Sequence, residues 1–174
     1  MKKNNYSYSG QTVALFAALC IFLSTVEYMI PKPLPFLRLG LANLPLIIAV
    51  AVFKPSDLLV LAALKVFGQG MINGTLLSYI FLFSFSGTAA SVLIMAAVYR
   101  IFSEKISLVG ISVLGALSSN LIQLYLSKLF IFGDSVKYIA PPFLTVGLVS
   151  SVILGMAADG FLSASKWLEE RRTA

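Results

Sequence analysis

Pro31-Lys32-Pro33-Leu34-Pro35-Phe36-Leu37-Arg38-Leu39-Gly40-Leu41-Ala42-Asn43-Leu44-Pro45 interrupts a chain that otherwise reads as soluble in lipid, and its placement decides how the rest divides. Proline lacks the N–H that an interior helical turn needs and its ring clashes with that turn, so Pro31 ends whatever helix comes before it. The charges of Lys32 and Arg38 and the amide of Asn43 are expensive in hydrocarbon, which makes the segment a functional suspect in a membrane protein.

The composition around it leaves one class. The 174 residues are 59% hydrophobic and 11% charged, with mean hydropathy +0.93, against roughly 25% charged residues in soluble domains. The expectation is an all-α integral membrane protein, one transmembrane domain over 1–174, with 1–10 as a cytoplasmic lead and 168–174 as a charged cytoplasmic tail. At about 20 apolar residues per crossing, this length holds five to seven spans and no separate catalytic domain. Lys2 and Lys3 before the first apolar run imitate a secretory signal, but the polar lead and the absence of a small-x-small cleavage site predict a retained helix. Cys20, the single cysteine, falls inside that helix, so no intrachain disulfide is expected.

Breakers and charges divide the chain into six expected spans. The first runs from about Gln11 to Ile30. The second, short, runs from about Leu39 to Phe53, with Pro45 loosening its outer end. A third begins with Ser56 as N-cap and Asp57 in its first turn and ends near Ile72. After the turn signal Asn73-Gly74, a fourth extends from Thr75 to Phe102, with Ser84, Ser86, Gly87 and Thr88 suggesting a break or kink. The fifth covers about Ile106 to Phe132 and the sixth about Pro142 to Trp167. Lysines and arginines then segregate: Lys2, Lys3, Lys54, Arg100, Lys105, Lys166, Arg171 and Arg172 on one side, Lys32, Arg38, Lys128 and Lys137 on the other. By the positive-inside rule both termini are cytoplasmic, in a multi-pass cell-membrane protein.

Polar residues gather at one depth. Glu27, Tyr28, Lys32, Arg38 and Asn43 surround the outer end of the first two spans. Lys65, Gln69 and Asn73, spaced by four, share one face of the third, and Asn120 and Gln123 lie three apart on the fifth. Lys32, Lys128 and Lys137 read as snorkelling cations, while Asn120 and Gln123 read equally as interhelical hydrogen bonds or as site residues. Lys65 is harder to place: a lysine two turns inside a span costs about 2.5–3.5 kcal/mol on insertion scales, so it should face a cavity or a carboxylate, Glu27 being nearest by depth. Ala14 and Ala18 on the first span, with the small residues Gly87, Ala89, Ala90, Ala96 and Ala97 on the fourth, fit internal helix packing or docking of another membrane subunit.

This organisation, with a small-residue first helix, a proline-rich loop and the phrase Arg38-Leu39-Gly40-Leu41-Ala42-Asn43-Leu44-Pro45, resembles the Gx transporter family. That family is also labelled heptaprenyl diphosphate synthase component I, and it is similar to the substrate-binding S components of energy-coupling-factor (ECF) vitamin transporters. The resemblance runs from about Thr12 to Ala164. It implies an S-component-like six-helix bundle holding a small vitamin-like molecule in an outward-facing pocket, beside a transmembrane coupling subunit docked on Ala14 and Ala18 and two cytoplasmic ATPases. The chain has no Gly-x-x-x-x-Gly-Lys-Ser/Thr loop, so the energy must come from a partner or a gradient.

The synthase label meets a chemical objection, since diphosphates are held through Mg²⁺ on clustered aspartates, whereas Asp57, Asp134 and Asp159 stand alone. The chain has no histidine, which removes the usual zinc sites and Ser-His or Cys-His catalysis. No catalytic residue, metal or cofactor is expected. The leading expectation is a substrate-binding subunit for uptake of a small anionic or amphipathic molecule, using Glu27, Arg38, Asn43, Lys65, Gln69, Asn73, Asn120 and Gln123. Glu27, Arg38 and Lys65 sum to one net positive charge, with Arg38 suited to a carboxylate or phosphate. Tyr28, Phe36, Tyr79 or Tyr125 could stack on a ring. The second reading is a membrane subunit tied to isoprenoid or quinone synthesis. A solitary secondary transporter is a third, disfavoured for want of an inverted repeat.

Overall fold

The computed structural model describes residues 10–30, 39–102 and 106–165, and every regular element among them is helical. In order these are α1 (Gly10–Met29), a 3₁₀ turn (Leu41–Asn43) leading into α2 (Leu44–Val52), α3 (Pro55–Ile72), α4 (Tyr79–Phe102), α5 (Leu108–Ser127) and α6 (Val136–Ala164). A π-helical turn (Lys128–Phe132) and a 3₁₀ turn (Gly133–Ser135) join the last two. Counted as unbroken helical runs, the described residues contain five. Four are long and apolar enough to cross a bilayer: Gly10–Met29, Pro55–Ile72, Tyr79–Phe102 and Leu108–Ala164.

The expected count of six spans is therefore not reproduced, for two physical reasons. α2 has 9 residues, and at 1.5 Å per residue it is about 14 Å long, less than half of the roughly 30 Å hydrocarbon thickness. The last run is long enough to cross twice. It departs from helical geometry at Gly133 (φ 53°, ψ −132°), and α5 and α6 pack against each other.

α2 is the centre of the molecule. It packs against α1, α3, α4, α5 and α6, while α1 with α3, α3 with α4, α4 with α5, and α5 with α6 form the wall around it. All of its residues except Leu44 are buried. A helix that is apolar on every side is one buried on every side, and here the burial is in protein. Around α2 lies a dry core made by Val13, Phe16, Ala17 and Cys20 of α1, Leu58 and Leu61 of α3, Val92 and Met95 of α4, Leu108 and Ile111 of α5, and Leu154, Ala158 and Leu162 of α6. Outward, α1 exposes Leu15 and Phe22, α3 Leu59 and Phe67, α4 Leu93, α5 Leu121, and α6 Leu148 and Ile153. Apolar surface of this extent marks contact with lipid or with other proteins.

Several local expectations need correction. Pro45 sits at the second helical position of α2, where the missing N–H has no intrahelical partner to lose, so it starts the helix and does not loosen it. Likewise α3 begins one residue before Ser56: Lys54 is its N-cap and Pro55 its first residue, with Asp57 in the first turn. α4 runs without a break across Ser84, Ser86, Gly87 and Thr88, and it starts at Tyr79 because residues 73–78 form turns about Gly74 (φ 65°). α6 begins at Val136, six residues before the expected start, and carries Pro141 and Pro142 inside it. The missing donors there belong to the second turn, near the helix end. At the other end of α2, Pro55 cannot donate to the carbonyl four residues back, Ala51; the hydroxyl of Tyr99 on α4 donates to it at 3.3 Å.

Candidate binding cavity

Because α2 fills only part of the space its neighbours enclose, a cavity remains beyond its N-terminal end. About 980 Å³ of unfilled space, including the open mouth, is lined by side chains from all six helices. α1 contributes Ser24, Glu27 and Tyr28; the entry to α2 contributes Gly40, Asn43 and Ile47; α3 contributes Lys65, Gln69 and Asn73. From α4 come Ser84, Thr88, Ser91 and Met95, from α5 Ser112, Ala116, Ser119, Asn120 and Gln123, and from α6 Gly147, Ser150, Ser151 and Leu154. Apart from the adjacent pairs Glu27–Tyr28, Ser119–Asn120 and Ser150–Ser151, each set recurs at intervals of three or four residues, which puts it on one helical face. The protein is thus inverted relative to a soluble bundle, apolar outside and polar at part of its centre.

Of the residues expected to form a site, Glu27, Asn43, Lys65, Gln69, Asn73, Asn120 and Gln123 come together on this cavity. Arg38, Lys32 and Phe36 lie outside the described residues. Among the described aromatic candidates only Tyr28 lines the cavity. Tyr79 and Tyr125 are not among its lining residues, and Tyr125 stands exposed. Ala14 and Ala18 are exposed on α1, whereas Ala17 beside them is buried. Lys128 and Lys137 are exposed; the former pairs with Asp134 at 3.3 Å and the latter stands over the Tyr138 ring.

The polar contacts fix the rim to the wall. Gly40 adopts φ 84°, a left-handed conformation that only glycine takes without strain, and its N–H donates to Glu27 Oε1 at 3.2 Å. That contact ties the phrase before α2 to the end of α1. Lys65 is buried, and its Nζ donates to Asn43 Oδ1. Gln123 Nε2 donates to Ser119 Oγ at 3.1 Å, and Ser127 Oγ to the Gln123 carbonyl at 2.7 Å. A β-carbon at Gly147 would collide with Asn120 Nδ2, so the absence of a side chain on α6 makes the room that Asn120 occupies.

Two buried side-chain oxygens among the described residues have no hydrogen-bond partner, Asp57 Oδ2 on the first turn of α3 and one belonging to the cavity lining. Gln69 is 3% exposed, and its Oε1 is buried without a hydrogen-bond partner. A buried carbonyl left unpaired is costly. Of the three residues expected to sum to one net positive charge, Glu27 and Lys65 are among the described lining residues and offset each other, while Arg38 lies outside the described residues. No group of three His, Cys, Asp or Glu among the described residues could hold a metal ion.

The hydroxyls of α4, α5 and α6 were not foreseen as lining residues. Their signal was available in the spacing Ser84, Thr88, Ser91, which repeats the helical period and places small polar groups on one stripe of an apolar helix.

Fold and cavity together define a protein whose described residues are all-helical, with membrane-span-like helices and an open cavity lined in part by polar side chains. Residues 16–161 match the family described as heptaprenyl diphosphate synthase component I, and the chain belongs to that family. Neither a curated protein nor a solved structure matches it.

Proposed function

We propose that this protein is a membrane subunit that binds a small polar or amphipathic molecule in the cavity beyond α2 for its uptake. The observation that carries the reading is the convergence of polar side chains from α1, α3, α4, α5, α6 and the entry to α2 on one cavity, since polar groups inside a membrane bundle are kept where they contact a partner, a cavity or a ligand. The family's name speaks of one component among others, which supports association with further subunits. Following the S-component resemblance, those would be a transmembrane coupling subunit seated on the exposed Ala14 and Ala18 face and cytoplasmic ATPases. In this reading α2 and the two arms of the last helical run complete a six-helix bundle, both termini are cytoplasmic, and the cavity opens outward.

The family name also favours a second reading, a membrane subunit that assists an isoprenoid diphosphate synthase and holds a polyprenyl chain. One measurement separates them. The full chain, extracted in mild detergent and washed, is denatured and the released small molecules are identified by mass spectrometry. A water-soluble compound bound near one per chain is the expected result, and a polyprenyl compound would support the second reading. Recovery of neither, from cells and from protein incubated with cell extract, would overturn the binding role.

A further inference from the structure

We infer that the cavity is built for a small, net-uncharged molecule rich in hydrogen-bond donors, one of whose N–H or O–H groups is received by Gln69 Oε1. This rests on the cavity being a binding site and names the chemistry of what it binds.

Three observations point the same way. Gln69 lines the cavity, and its Oε1 is buried and lacks a partner. An amide oxygen only accepts, so the complementary ligand atom is a donor; a hydrocarbon chain leaves the oxygen unpaired and an ionised phosphate oxygen repels it. Next, the hydroxyls of Ser112, Ser150 and Ser151 also line the cavity, yet each gives its hydrogen to a backbone carbonyl, of Ser151, Val146 and Leu148 respectively, at 2.8 Å. With the hydrogen engaged, each hydroxyl has only lone pairs to offer the chamber. At these three positions the wall offers acceptors and calls for donors. Finally, Glu27 and Lys65 cancel among the described lining residues. A diphosphate placed there would face more negative charge than Lys65 can offset, in surroundings where uncompensated charge is heavily penalised.

The test uses the full chain in nanodiscs, as wild type and as Gln69→Met, an apolar replacement of similar length. In the wild type the released molecule should be uncharged at pH 7 and bear several N–H or O–H groups. In Gln69→Met its affinity should fall at least about tenfold, the equivalent of one lost polar contact. The ligand-free variant should melt at the same temperature or about 2–4 °C higher, because an unpaired buried oxygen has been removed. Farnesyl diphosphate, as the polyanionic probe, should neither raise the melting temperature nor displace the bound molecule. Ser150→Ala, which deletes one acceptor at a half-buried position, should weaken binding severalfold and keeps the test open if Gln69→Met does not fold.

A bound phosphate or diphosphate ester, or undiminished retention in both variants, would overturn the inference while leaving the binding role intact. If the wild type releases nothing, the binding role itself falls, and the inference with it.

Discussion

The two ends of the space inside the helical wall are made from the same five surrounding helices and come out opposite. At the C-terminal end of α2 the space is filled: residues 46–53 are all buried and meet Phe16, Leu58, Leu61, Val92, Ile111 and Leu162 in one apolar cluster. At its N-terminal end the same helices present Glu27, Lys65, Gln69, Thr88, Ser119 and Ser151 to open space. The difference is the length of α2. A helix of about 14 Å plugs part of the ring and leaves the remainder to polar groups, so the filled end should govern stability and the hollow end should govern binding.

The sharpest challenge to the filled end is steric. A β-carbon on Gly155 would lie 2.6 Å from the Val109 Cα, and backbone cannot swing aside as a long side chain can. Gly155→Val should force α5 and α6 apart and cost about 3 kcal/mol, the upper part of the range for overpacking. Thermal unfolding in detergent checks this; an unchanged melting temperature would show that α5 and α6 do not approach as closely as described. Leu61→Ala, at a position with no exposed surface, comes next. Leucine-to-alanine cavities in soluble proteins cost about 2–5 kcal/mol. Lipid solvates a leucine side chain about as well as the core does, so the transfer part shrinks and about 2 kcal/mol is expected here, without selective loss of ligand.

At the hollow end the signature reverses. Asn43→Ala removes the acceptor of Lys65 Nζ at the point where the rim phrase enters α2. Hydrogen bonds inside membranes are worth about 0.6 kcal/mol on average and up to about 1.7, and a charged donor belongs near the top of that range. A loss of about 1.5 kcal/mol in stability is expected, together with at least about a tenfold loss in ligand retention. Retention matching the wild type would detach Asn43 from the site.

This contrast was only partly legible in the sequence. Lys65, Gln69 and Asn73 announce a polar face because three polar side chains four residues apart in an apolar helix have no cheaper explanation. In the phrase before α2, Asn43 is legible as a polar residue beside the other site candidates, whereas its bond from Lys65 and that of Gly40 to Glu27 are not. The burial of α2 was not legible, because residues apolar on every side look alike whether lipid or protein covers them; hydropathy therefore counted a central plug as a span. Ser84 and Thr88 were read as weak points of a helix, since a hydroxyl can bond to its own backbone and bend the turn. Their inward direction depends on which face of α4 meets α5, which is a property of packing and not of the local sequence.

The smallest expected effect examines the junction that fixes where α2 stops. Pro55 cannot donate to the Ala51 carbonyl, and the Tyr99 hydroxyl does so from α4. Tyr99→Phe keeps the ring and deletes that donor. At 3.3 Å the bond is long, and a net hydrogen bond is worth about 0.5–1.5 kcal/mol, so a loss of about 0.5 kcal/mol is expected, read as a small fall in melting temperature with ligand retention unchanged. The selectivity matters more than the size. If Tyr99→Phe instead lowered retention, the C-terminal end of α2 would be controlling the cavity at its other end, and α2 would be a moving piston where the packing describes a fixed plug.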